Sequence, residues 1–205
     1  MNIKNDSLAI EKVFVDVRKA YRLLYKYQQA VLDVVKAIGD LTSWKYYGGW
    51  SKFSDSAPGN GKGTLDKWAW DWLNMYCYEF HFGSLTVDGN KIAFSVWLIS
   101  DTGFYDSEST DRRNIESFAS VENSGTKLLL FVGKNIWHND DVNFSNNLKK
   151  LSTDYVFDNG KGILVGRSYN FSDFINMEKT RSNVENFVSF CKLYNINEID
   201  VQAKN

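Results

Sequence analysis

The sequence predicts an α+β domain in which a long N-terminal helix and a C-terminal helix pack on a mainly antiparallel β-sheet. Three observations predict it. Apolar residues between Ile10 and Leu41 recur at alternating steps of three and four. Between Tyr76 and Arg167 they alternate with polar ones instead, and Asp88-Gly89 and Asn159-Gly160 punctuate the runs. From Asp173 onward the helical period returns.

The first helix is the clearest element. Ile10, Val13, Val17, Ala20, Leu24, Tyr27, Val31, Val34, Ile38 and Leu41 fall on one side of it. Asn5, Asp6 and Ser7 offer side-chain oxygens to its first free amides, and Gly39 offers a left-handed end. The flanks of the stripe are apolar too: Phe14, Tyr21 and Val35 on one side, Leu23, Ala30 and Ala37 on the other. A two-stranded coiled coil places charges there. So wide a face is expected to be buried within the domain. A homodimer through this helix is the second expectation.

Residues 44–53 read as a short, irregular strand, and Ser54 to Gly63 as a loop. Thr64 caps an expected helix to Met75, with Leu65, Trp68, Ala69, Trp72 and Leu73 as its stripe. Tyr76, Tyr78, Phe80 and Phe82 then share one face of a strand. A turn at 87–91 leads to a return strand with Ile92, Phe94, Val96 and Leu98 on one face. A polar loop spans about 100–126, long enough to suggest a binding loop. Lys127 to Val132 reads as a central strand and Phe144 to Leu151 as a short helix. Tyr155–Phe157 and Gly162–Arg167 form a second hairpin. The closing helix covers 173–194, with a stripe of Val184, Phe187, Val188, Cys191 and Tyr194, and a short C-terminal tail follows. Residues 1–205 are expected to be one domain. The order of elements resembles the restriction-endonuclease-like core, in which a first helix also precedes an antiparallel meander. Order of elements does not fix function.

The net charge of -1 supplies no global field toward nucleic acid or anionic lipid. Aromatic residues reach 16%, more than core filling obviously needs, and such rings also build binding surfaces. Cys77 and Cys191 sit in apolar elements without a CxxC pair, as in a reducing compartment. The first residues lack the apolar core of a signal peptide, and no run approaches the roughly 18 apolar residues of a membrane span. A cytoplasmic protein away from membranes is the expectation.

Two segments carry candidate chemistry. Ala57-Pro58-Gly59-Asn60-Gly61-Lys62-Gly63-Thr64 resembles the phosphate loop of adenylate-kinase-type enzymes, with Ser56 where that loop has its first glycine. The resemblance implies phosphate binding by Gly59, Gly61, Lys62 and Thr64. A phosphate loop follows a buried strand, whereas Trp50 to Asp55 is polar, so a flexible glycine loop is the first reading. In the second segment Cys77, Glu79 and His81 share one face of a strand. A fourth ligand is lacking, so no metal site is expected. Glu79-Phe80-His81 resembles the Glu-x-Lys of magnesium nucleases with His for Lys, and Asp101 and Asp106, after the return strand, are candidate companion carboxylates. Glu79, His81 and Asp101 are therefore the candidate catalytic residues. His138 beside Asp140 and Asp141 reads as a solvated loop histidine.

The function expected first is a small interaction module without its own catalysis: an adaptor, an inhibitor or an immunity-type factor. Its candidate partner-binding residues are Trp44, Tyr46, Tyr47 and Trp50, presented by a kink at Gly48-Gly49, together with Arg112 and Arg113. The alternative is a nucleotide- or nucleic-acid-processing enzyme working through the glycine loop or through Glu79 and His81. Another protein is the expected partner, nucleic acid the second, and no cofactor is implied.

Overall fold

Helix, antiparallel sheet and closing helix follow one another as the sequence patterning requires. The structure, a computed structural model, describes residues 3–52, 73, 75–106, 115–137 and 154–203. The glycine loop, the helix expected at 64–75 apart from Leu73 and Met75, the helix expected at 144–151, Arg112, Arg113 and His138 lie outside the described residues. Two compact units are distinguished, Met1–Val35 and Lys36–Asn205.

Helix α1 (Ile3–Thr42) runs past Gly39. Its end is made by Ser43, at φ 58°, while Thr42 donates its hydroxyl to the Ile38 carbonyl at 2.9 Å. Gly39 has a packing role instead: a Cβ there would lie 2.6 Å from Cε1 of Phe82. The apolar stripe expected inside the domain is exposed in its first half. Ile10, Val13, Val17 and Leu24 are 41–58% exposed, and every residue from Ile10 to Lys26 is exposed.

The second unit is built on a six-stranded sheet. Strands β1 (Gly48–Ser51), β2 (Cys77–Val87), β3 (Asn90–Ile99), β4 (Lys127–Lys134), β5 (Asp154–Asp158) and β6 (Ile163–Asn170) are arranged β1-β2-β3-β4-β6-β5. Each neighbouring pair is antiparallel. Asp88 and Gly89 both take positive φ, 48° and 77°, which gives the β2–β3 hairpin the turn whose twist matches its strands. The loop from 100 to 126 holds a short helix α2 (Gly103–Asp106) and a 3-10 turn at Ile115–Ser117.

Both faces of the sheet are covered, so β3 is buried from Ile92 to Ile99. One face carries Phe80, Phe82, Phe94, Val96 and Val132. Helix α3 (Met177–Lys192) packs there, with Phe187 stacked against Phe94 at 6.4 Å between centroids. Val184, Phe187, Val188 and Cys191 of the expected stripe are buried. The chain end does not trail away as a tail. Ile196 and Ile199 are fully buried, and the Gln202 amide donates to the Leu41 carbonyl at 2.8 Å. Two apolar residues three apart, just after a helix, are enough to fold the last turn back onto the core. The opposite face carries a second apolar cluster of Cys77, Trp97, Ile99, Leu129, Phe131 and Leu164. Burial pushes the Cys77 thiol up to about 12 and the Cys191 thiol likewise to about 12, so both stay protonated near neutral pH.

Candidate functional site

Beside that second cluster, polar side chains meet in the otherwise apolar sheet face. Period-two alternation puts Glu79 and His81 on this face of β2, and the β2–β3 register sets Trp97 and Ser95 opposite them. Glu79 has no exposed surface. A buried carboxylate must be compensated. Lys52, one residue beyond β1, brings its ammonium within 2.7 Å of Glu79 Oε2. Ser95 donates its hydroxyl to Glu79 Oε1 at 2.8 Å.

The Ser95 proton is thereby committed. His81 Nδ1 lies 2.8 Å from Ser95 Oγ. A hydroxyl with its proton engaged can only accept there, so the imidazole carries a proton on Nδ1. The result is a relay from imidazole through hydroxyl to buried carboxylate. In the neutral ring Nε2 is then the acceptor. Lys52 is held from both sides, with its ammonium 5.2 Å from the Trp97 ring centroid and 5.8 Å from that of Trp50. Its own amide donates to the Cys77 carbonyl at 2.9 Å, which fixes the chain leaving β1.

Aromatic rings surround the imidazole. Tyr47, Trp50 and Trp137 have centroids 6.1, 5.9 and 5.5 Å from it. Between the 43–47 segment and β2 from His81 to Leu85 lies a cleft of about 610 Å³. A β-bulge shapes its floor. Two residues, Phe82 and Gly83, stand opposite the single Phe94, between the pairs His81–Ser95 and Ser84–Ala93. Gly83 takes φ +85°, and a Cβ there would meet the Tyr47 side chain at 3.6 Å.

The structure thus brings Glu79 and His81 together and adds Lys52, Ser95 and Trp97, which sequence reasoning missed. Asp101 does not join them. It sits beyond the end of β3, accepting the Gly103 amide on Oδ1 at 2.8 Å. Its charge acts instead on Tyr76, whose phenol is pushed up first by burial and then by Asp101. Cys77 belongs to the apolar cluster. Among the described residues no group of three or more His, Cys, Asp or Glu side chains could hold a metal ion.

Of the rings expected to be presented, Tyr46, Tyr47 and Trp50 are exposed by 56, 77 and 46%. Trp44 is corrected to a core residue. It is 7% exposed and meets Phe94 edge-on at 5.9 Å, because it follows directly from the helix end, where its amide donates to the Gly39 carbonyl at 3.1 Å. Tyr46 leans on Phe80 and Phe82 at 6.4 and 6.3 Å, so the exposed rings are anchored on buried ones. Among the described residues no helix is long and apolar enough to cross a membrane.

No curated protein and no solved structure matches the chain. One family model does, over residues 8–195, a span that takes in the exposed helix, the Glu79–Ser95–His81 relay and helix α3, and on that match the chain belongs to the PM0109 family.

Proposed function

We propose that this chain is a cytoplasmic protein-interaction module whose docking surface is the aromatic edge formed by Tyr46, Tyr47 and Trp50. One observation carries the reading: three large rings stand exposed along the sheet edge, Tyr46 against Phe80 and Phe82 of one face and Tyr47 and Trp50 beside His81 of the other, on a segment that the Lys52–Glu79 pair clamps to the sheet. Tyr and Trp dominate binding hot spots because they bury much area for few rotatable bonds. A pre-fixed segment loses little further freedom on binding. The polar groups beneath are engaged with one another, as suits a frame. Two buried free thiols support a reducing compartment. Adaptor, inhibitor and immunity-type roles all use such a surface.

Site-specific photo-crosslinking in the source cells tests this. A photoreactive residue at position 47 should give a discrete adduct. The same residue at position 193, equally exposed at 77%, should not. Identical adducts at both positions would sink the reading.

A second reading rests on the relay itself. An imidazole oriented through Ser95 by a buried carboxylate is a competent acid–base group beside a cleft. It would serve a nucleic-acid-processing enzyme. Under this reading the purified chain cleaves DNA or RNA with magnesium, and His81→Ala lowers the rate by about 10²-fold or more, whereas Leu193→Ala does not. Uncleaved nucleic acid, or cleavage indifferent to His81→Ala, rejects it.

A further inference from the structure

The first half of α1 presents an apolar face of a particular kind. Its alternating three and four spacing is a heptad repeat, with Ile10, Val17 and Leu24 at one core position and Val13, Ala20 and Tyr27 at the other. A stripe kept at 3.5 residues per turn follows another helix that winds around it. Phe14 and Tyr21 widen the face on one flank and Leu23 on the other, and these three are 49–71% exposed.

Among the described residues, 10–26 are all exposed. A helix in water takes most of its stability from packing an amphipathic face, and contiguous apolar patches of more than a few hundred Å² are rare on monomers. Such a segment calls for a helical partner, and the charges say which one. In coiled coils, partner choice is set by charges flanking the seam and by polar residues within it. Here the seam between residues 10 and 27 has no charged or amide side chain. Glu11, Lys12, Arg18, Lys19, Arg22 and Lys26 all fall on the outer positions, where two identical helices do not bring them together. Asp16 is the one flanking charge, and Lys19 of its own helix holds it at 2.9 Å. Nothing along this face discriminates against an identical copy, and its apolar layers repeat one another.

We infer that residues 10–27 of α1 associate with the same segment of at least one further copy of this chain. The apolar flanks suit a bundle of three or four helices as well as a pair. This surface is distinct from the aromatic edge, and the association stands or falls independently of that reading.

Sedimentation equilibrium of the full chain across micromolar concentrations tests it. The wild-type mass should rise with concentration toward an integral multiple of the chain mass. Val17→Asp and Leu24→Asp should shift it to one chain mass. Arg18→Glu, on the outer face, should leave the multiple unchanged. Two differently tagged wild-type copies should co-purify, and a Val17→Asp copy should drop out. A wild-type chain that sediments as a monomer throughout overturns the inference, including one that instead binds vesicles of anionic lipid. So does an oligomer that survives both aspartates.

Discussion

Lys52→Met should destabilise the second unit by about 3 kcal/mol, because it leaves the Glu79 carboxylate buried without its cation. Glu79 is wholly buried, and its Oε2 faces the Lys52 ammonium at 2.7 Å. About a fifth of the Lys52 side chain is exposed, so water screens part of the loss and the value falls at the low end for a broken buried pair. Methionine keeps the apolar stem between the Trp50 and Trp97 rings, so the change isolates charge from packing. Adding Glu79→Gln to this variant should recover more than half of the loss, since a neutral amide still accepts the Ser95 hydroxyl and no charge remains stranded. Urea unfolding at neutral pH gives all three values. A Lys52→Met chain less than about 1 kcal/mol weaker than wild type would mean that the carboxylate does not depend on this lysine.

Phe94→Ala should cost about 3–5 kcal/mol. Its ring is fully buried and joins three parts of the fold. It stacks on Phe82 at 5.1 Å, takes the edge of Trp44 at 5.9 Å and faces Phe187 of α3 at 6.4 Å. Truncation removes partners from all three neighbours at once, in the middle of a strand that cannot shift without breaking two ladders. Phe94→Leu keeps most of the volume and should cost about 1.5 kcal/mol or less. Chemical denaturation compares the two. If alanine and leucine cost the same, the site collapses freely and Phe94 is not the keystone that the ring contacts indicate.

The strands and both hairpins were legible because period-two runs and Asp-Gly or Asn-Gly turns act locally. Glu79 and His81 were legible as neighbours on one face for the same reason. Their partner Ser95 was hidden by one residue. Counting back from the Val87–Asn90 pair without a bulge sets His81 against Val96, which points to the other face. The irregularity at Phe82–Gly83 aligns it with Ser95 instead. Lys52 was hidden differently. A lysine after a short strand reads as solvated, and only the tertiary approach of Trp97 makes a slot for its stem. Trp44 directly follows the helix end and shares its burial, which a run of aromatic residues alone does not distinguish from the exposed Tyr46 and Tyr47 next to it. The width of the helix stripe led to an expectation of burial within the domain, whereas Ile10 to Lys26 are exposed. Width alone does not tell a sheet of the same chain from a helix of another.

The bulge also bears on how such a cleft can arise. His81 on one side of it and Ser84 on the other each keep a regular cross-strand partner, so the extra residue disturbs no other pairing in the hairpin. A single inserted codon is therefore enough to turn a flat, fully paired ladder into one that bends where the 43–47 segment passes over it. Glycine at that codon is the cheapest form of the change, since it meets the positive φ without strain. The concavity could thus be acquired, or lost, in one genetic step, while the buried carboxylate and its lysine stay where they are.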